Sequence, residues 1–343
     1  MPSYRFGDLI VMMVPASLCG ANTATEFALF AETRRAALCR LIDYDEAPSH
    51  DTFSRLLRLM DPQAFERAFA AFAAGFAKAL GEAAGPDEVV AIDGKALRRA
   101  YARGHQACPP MTVSAFAVQA RLCLGAASPT AAENEIEAAL RVIALLDLTD
   151  KIVTADALHC HRRMAEAVIE RKADYILALK GNRRNWRREA EAAFKCPAMA
   201  PAAEQIERSH GREEWRRAEV AGAPQELMLG HQAFIRVTSR RDATKPQVRL
   251  FMASRVFSPQ QALEMTRSHW QVENGLHWML DVHLGEDMNR AHKDHAPANV
   301  AILKRIAKNI LEISDRPKVP ISHRIKKCAW NDDYLVAALG RMR

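Results

Sequence analysis

Glu88–Asp93 reads EVVAID, Lys151–Asp156 reads KIVTAD and Ala173–Leu179 reads ADYILAL. Each is a short, nearly continuous apolar run, and the first two end in an acid. Runs of this kind mark strands buried on both faces; an amphipathic helix would instead space its apolar residues at three- and four-residue steps. That helical spacing does occur between them, over Glu133–Leu146 and His161–Lys172, and Met111–Leu124 adds further strand-like material. Strands alternating with helices predict an α/β core.

The flanks differ from this centre. From Leu9 to Leu80 the pattern is helical, with Phe65, Phe69, Phe72 and Phe76 on one stripe. Pro48-Ser49-His50-Asp51 interrupts it, with Ser49 or Asp51 as N-cap of the next helix, and Asp61-Pro62 opens another. A turn at Gly81–Pro86 predicts a boundary, giving a small helical N-terminal domain over 1–85 and an α/β domain over 86–343. Between about 182 and 254 the prolines 197, 201, 224 and 246 and the strand-like runs Phe234–Thr238 and Val248–Ala253 predict a β-rich insertion packed beside the core. Helices are expected again over Gln260–His283 and Pro297–Ile313.

The chain has 343 residues, 49% hydrophobic and 26% charged, which fits globular packing and not disorder. No apolar stretch reaches 18 residues; Leu9–Val14, preceded only by Arg5 and followed by Pro15, is too short for a span and poorly flanked for a secretory signal. The seven cysteines form no CxxC pair, which argues against a disulfide frame or zinc knuckle and for a reducing compartment. Secreted, membrane and fibrous classes are thereby excluded, and a cytoplasmic location is expected. A net charge of +7 favours a polyanionic partner.

Chemistry concentrates on acids. In an open α/β sheet, ligands gather beyond the carboxyl ends of the strands, where Asp93 and Asp156 would lie. Two carboxylates there repel unless a cation separates them, and such hard oxygen donors suit Mg²⁺ or Mn²⁺. The alternative is that each Asp merely caps the next helix. A third acid, Glu273, is flanked by His269 and His277 at four-residue steps on one helical stripe. The two His, about 12 Å apart along a helix, cannot share one zinc, and no HExxH is present, so a metalloprotease is disfavoured. A half-buried helix face, with Trp270 and Trp278, is the competing reading of this stripe. Three such acids can hold two metals for in-line displacement at phosphorus. Lys180, Arg183, Arg184, Arg187 and Arg188, with Trp186 among them, would contact DNA phosphate, or form a solvated basic helix face.

Taken together, PSHDTFSRLL, VVAIDGKALR, ENEIEAAL, IVTADALHCH, ADYILALKGN, HGREEWRR, SHWQVENGLHWMLDVHLGED and APANVAILKRIAKNIL resemble the DDE transposases of the ISAs family of bacterial insertion sequences, the H-repeat-associated group. The resemblance covers the chain from about Ser49 to Leu339. It implies an RNase H-like core with a β-rich insertion between the second Asp and the Glu. It also implies Asp93, Asp156 and Glu273 as catalytic, metal-holding acids, with Glu286 as competitor for the third place. Where the wider clan carries Tyr, Arg and Lys around the Glu, this chain has Thr266, His269 and Leu280, and those roles do not transfer. The implied activity is Mg²⁺-dependent cleavage at the element's ends and strand transfer into target DNA, by a homodimer or larger assembly. The rivals are a catalytically silent DNA-binding remnant and a metal-dependent nuclease without strand transfer. Relatives carry more basic residues ahead of the first helix than Met1-Pro2-Ser3 does, so a truncated or mis-started N-terminus is expected.

Overall fold

The structure, a computed structural model, describes residues 4–79, 85–100, 109–195, 202–209, 212–242, 244–315 and 319–340. The expectation about Met1-Pro2-Ser3, most of the turn expected at 81–86, and prolines 197 and 201 lie outside these residues.

The helical N-terminal stretch is α1 (Phe6–Leu18), α2 (Ala24–Thr33), α3 (Arg35–Leu38), α4 (His50–Leu59) and α5 (Pro62–Ala79). It is broken at two more places than the apolar spacing suggests: at Arg34, between α2 and α3, and after α1, where Gly20 takes φ +95 and Thr23 then opens α2 through a capping box with Glu26. Of the two candidate caps before α4, Ser49 takes the role and accepts from the Thr52 N–H.

The central part runs β1 (Val89–Ala96), β2 (Met111–Ala117), β3 (Leu122–Ala127), α6 (Glu135–Leu145), β4 (Ile152–Ala155), α7 (Arg162–Glu170) and β5 (Asp174–Leu179). Next come α8 (Arg184–Ala193), β6 (Ala203–Ser209), β7 (Arg212–Gly222), β8 (Ala233–Arg241) and β9 (Gln247–Ala253). All nine strands form one sheet in the order β3-β2-β1-β4-β5-β9-β8-β7-β6. β1, β4 and β5 are parallel to one another; every other pairing is antiparallel. The region expected as an insertion thus begins with a helix, α8, and its strands prolong the core sheet edge to edge through the pairing Ile176↔Ala253. Arg184–Ala193 is helical because RNWRREAEAA holds Arg, Glu and Ala and no β-branched residue.

Side chains alternate across the sheet as period two demands. Val90, Ile92, Val153, Ala155 and Leu177 are buried beneath α6 and α7. Val89, Ala91, Ile152 and Ile176 face the other layer, which contains α1, α4 and the C-terminal helices α9 (Pro259–Ser268), α10 (Trp278–Val282) and α11 (Ala296–Ile313). α11 is buried along nearly its whole length, polar residues included. Asn309 accepts from the Cys123 N–H and donates to its carbonyl, at 2.9 and 2.7 Å, and Asn299 donates to the Leu57 and Met60 carbonyls at the end of α4. Such bonds remove the cost of burying these amides. α11 therefore fastens the N-terminal helices to the sheet.

Candidate active site

The parallel register Ile92↔Ala155 sets the next residues, Asp93 and Asp156, side by side, since neighbouring strands lie about 4.8 Å apart. Asp93 is not at a strand end, as the apolar run suggested. β1 continues to Ala96 on its antiparallel bonds to β2, and Asp93 marks the point where pairing with β4 stops. Asp156 leads into a turn in which its Oδ1 accepts the Leu158 N–H at 2.9 Å, but the N-cap of α7 is His161. Asp156 is therefore a turn-former without being a helix cap.

The expected helix Gln260–His283 is interrupted. α9 ends at Ser268, a five-residue π-helical turn spans Glu273–His277, and α10 resumes at Trp278. Gly275 in that turn packs on β2, where a Cβ would stand 2.9 Å from the Phe116 ring. The stripe expected at four-residue steps nonetheless tracks the sheet. His269 Nδ1 lies 3.1 Å from Thr154 Oγ1, His277 Nδ1 lies 3.6 Å from Asp93 Oδ2, and Asp281 Oδ1 lies 2.7 Å from Lys95 Nζ. Between the two His, Glu273 joins Asp93 and Asp156 on the wall of a cavity of about 950 Å³.

Burial pushes the Asp93 carboxyl up to about 7; Asp156, Glu135 and Glu273 push the same way, and a bond from the Gly94 N–H opposes them. Burial likewise drives His269 down to about 4, against the pull of Asp156, and His277 down to about 4, assisted by the Arg305 charge. Both rings are neutral near pH 7, so the His277–Asp93 contact there is a dipolar approach and not an ion pair. No group of three or more His, Cys, Asp or Glu among the described residues is drawn tightly enough to hold a metal unaided. The donors nonetheless fit a hard divalent cation. They are carboxylate oxygens, and burial first, with the neighbouring acids adding to it, raises Asp93 in the direction that a bound cation would reverse.

Of the basic residues expected at DNA, Lys180 and Arg187 line the cavity, Arg187 also pairing with Glu191 at 2.8 Å. Three do not line it. Arg183 donates to the Cys160 carbonyl at 3.0 Å and lies over the Trp186 ring, Arg188 donates to Asn185 Oδ1 at 2.6 Å, and Arg184 begins α8 on the surface. Sequence reasoning missed Arg217, Arg236 and Arg249, which line the same wall from β7, β8 and β9. They are scattered in sequence and converge only through sheet pairing. Glu286, the competitor for the third acid, is 1% exposed and bonded to Arg305 at 2.7 Å, off the cavity wall. Lys95, in the DGK motif, was also missed as a structural centre. It is buried and reaches Asp281, Asp287 and Glu286 at 2.7, 3.0 and 3.6 Å.

Residues 84–310 match the family described as Transposase DDE domain, and residues 2–73 match the family described as DDE_Tnp_1-associated. YncI of Escherichia coli O157:H7 is 28% identical over 353 residues, covering 98% of this chain and 89% of its own. The H repeat-associated protein YhhI of Escherichia coli strain K12 is 28% identical over 354 residues, covering 98% and 92%. Both carry transposase names. Among solved structures, the piggyBac transposase synaptic complex with hairpin DNA aligns over 97% of this chain and 72% of its own, at 11% identity and a TM-score of 0.44. No helix among the described residues is long and apolar enough to cross a membrane.

Proposed function

The chain belongs to the DDE transposase family, and from that premise we propose that it cuts DNA at the ends of an insertion sequence and joins the freed 3′-OH to target DNA. The observation that carries this reading is the convergence of Asp93, Asp156 and Glu273 on one cavity whose wall also carries Lys180, Arg187, Arg217, Arg236 and Arg249, three of these arginines being paired with Glu191 or Glu219. The strand order β3-β2-β1-β4-β5, parallel only in its last three members, supports an RNase H-like core. Asp93, Asp156 and Glu273 would hold Mg²⁺, with Mn²⁺ as substitute. When bound, such ions activate an attacking oxygen and stabilise the leaving one in an in-line displacement. Neutral His277 fixes the Asp93 carboxylate from the helix side, and His269, bonded to Thr154, holds the start of the same stripe against β4. Lys180 and Arg187 meet the phosphates that flank the scissile one, which orients the strand without reading its sequence. The partners are then the element's terminal repeats and target DNA, bound by a homodimer or higher assembly in the cytoplasm.

The experiment is a cleavage and strand-transfer assay on native flanks with Asp93→Asn, Asp156→Asn and Glu273→Gln. Each change removes charge at nearly constant shape, so cleavage should vanish while DNA binding persists. Substantial cleavage by any of the three overturns the triad; cleavage without joining by the unaltered protein leaves a nuclease.

A further inference from the structure

α6 begins with Glu135, whose neighbour Asn134 caps the helix by accepting from the Ile136 and Glu137 N–H groups at 2.9 and 3.3 Å. The Glu135 side chain does not turn to solvent. It lies across β1 at Gly94, where a Cβ would collide with Oε1 and stand 2.8 Å from Cδ. Gly94 pairs with Val113 in an ordinary strand and has no left-handed φ, so its backbone conformation does not call for glycine. The carboxylate lying over it does.

A second observation points to the same place. His159 is fully buried, and neither ring nitrogen finds a hydrogen-bond partner among the described residues. Its Nε2 stands 3.4 Å from Glu135 Oε1. His159 is delivered by the turn that also delivers Asp156, its N–H bonding the Asp156 carbonyl at 3.2 Å. The turn thus sends one side chain to the cavity and another to Glu135. Among the described residues no Lys or Arg pairs with Glu135, and Gly94, which it overlies, directly follows Asp93 in β1. Setting another carboxylate beside half-buried Asp93, with no Lys or Arg to offset it, is a stability cost that folding alone does not explain.

We propose that Glu135 is a fourth carboxylate of the acid cluster, a positioning residue that reaches β1 beside Asp93 through the gap left by Gly94 and raises the cluster's affinity for a divalent cation. This rests on the assignment of Asp93, Asp156 and Glu273 as the metal-holding acids.

The test is thermal unfolding in EDTA and across a Mg²⁺ titration, for the unaltered protein, Glu135→Gln, Gly94→Ala and Asp93→Asn. In EDTA, Glu135→Gln should melt at or above the unaltered protein, because repulsion is relieved. In Mg²⁺ its stabilisation should be less than half, with the half-saturating Mg²⁺ raised on the order of 10–100-fold, the range for residues that support metal ligands from behind. Gly94→Ala keeps every charge but displaces the Glu135 carboxylate, and should shift the Mg²⁺ dependence the same way. A melting temperature lowered equally in EDTA and in Mg²⁺, with half-saturation unchanged in both variants, would make Glu135 a structural acid and overturn the proposal. Asp93→Asn separates the two assignments. If it abolishes the Mg²⁺ response and Glu135→Gln does not alter it, only Glu135 is wrong; if it too leaves the response intact, the triad falls.

Discussion

Asp93→Asn should stabilise the metal-free protein while destroying its activity. In the folded chain the Asp93 carboxyl is pushed from 3.8 up to about 7, burial first and neighbouring acids next. Between those values the native state holds a proton that the unfolded state releases, so stability falls as pH rises from about 4 and levels off above about 7. At about 1.4 kcal/mol for each pH unit the interval corresponds to about 4 kcal/mol. The Asp93 side chain is 24% exposed, and solvent screening reduces that figure to about 2 kcal/mol. At about 2 °C for each kcal/mol in a chain this long, Asp93→Asn should melt about 4 °C above the unaltered protein at pH 8. At pH 4 the two should coincide. The assay is scanning calorimetry of both proteins in EDTA at pH 4, 6 and 8. Parallel pH profiles, with no gap opening toward pH 8, would refute the burial argument, and residual DNA cleavage by Asp93→Asn would refute the catalytic one.

Glu286→Gln should cost about 3–5 kcal/mol in urea unfolding, because it strands the buried Arg305 charge; loss of activity without loss of stability would restore Glu286 as a metal ligand. Lys180→Ala with Arg187→Ala should reduce the salt slope of DNA binding by roughly 0.9 for each phosphate no longer neutralised, whereas Arg183→Ala with Arg188→Ala, changing residues off the cavity wall, should barely move it. Gly275→Ala sets a methyl group against the Phe116 ring and should destabilise by about 1–3 kcal/mol while moving Glu273; unchanged stability would mean that the π-helical turn yields easily.

The strands were legible because buried parallel strands leave unbroken apolar runs. EVVAID, KIVTAD and ADYILAL became β1, β4 and β5 with boundaries shifted by a few residues. The adjacency of Asp93 and Asp156 was implicit in the two runs ending alike. Apolar spacing did not disclose the π-helical turn at Glu273–His277, because it depends on how closely Gly275 approaches Phe116, a contact between segments far apart in sequence. Nor did it disclose that 203–253 continues the core sheet, since an edge-to-edge pairing has no local signature. Glu135 sits within the ENEIEAAL motif, but its acid reads as a routine first-turn residue until Gly94 is placed beneath it. Lys95 reads as a surface lysine until three acids are found around it.

The burial of α11 also has a meaning in time. Synthesis proceeds from the N-terminus, so the helices carrying Met12, Phe27 and Phe53 emerge long before Ala296–Ile313, the segment that covers them. Before then β5 waits some seventy residues for its sheet neighbour β9, and the helical cluster stays without its central member after all nine strands have been made. Glu273 itself is added between these two events. A ribosome-bound chain that stops short of Glu273 carries only two of the three acids that share the cavity wall, and the N-terminal helices stay uncovered until α11 docks. That order exposes the young protein to aggregation, because the apolar faces of the N-terminal helices wait for a segment made far later in the chain.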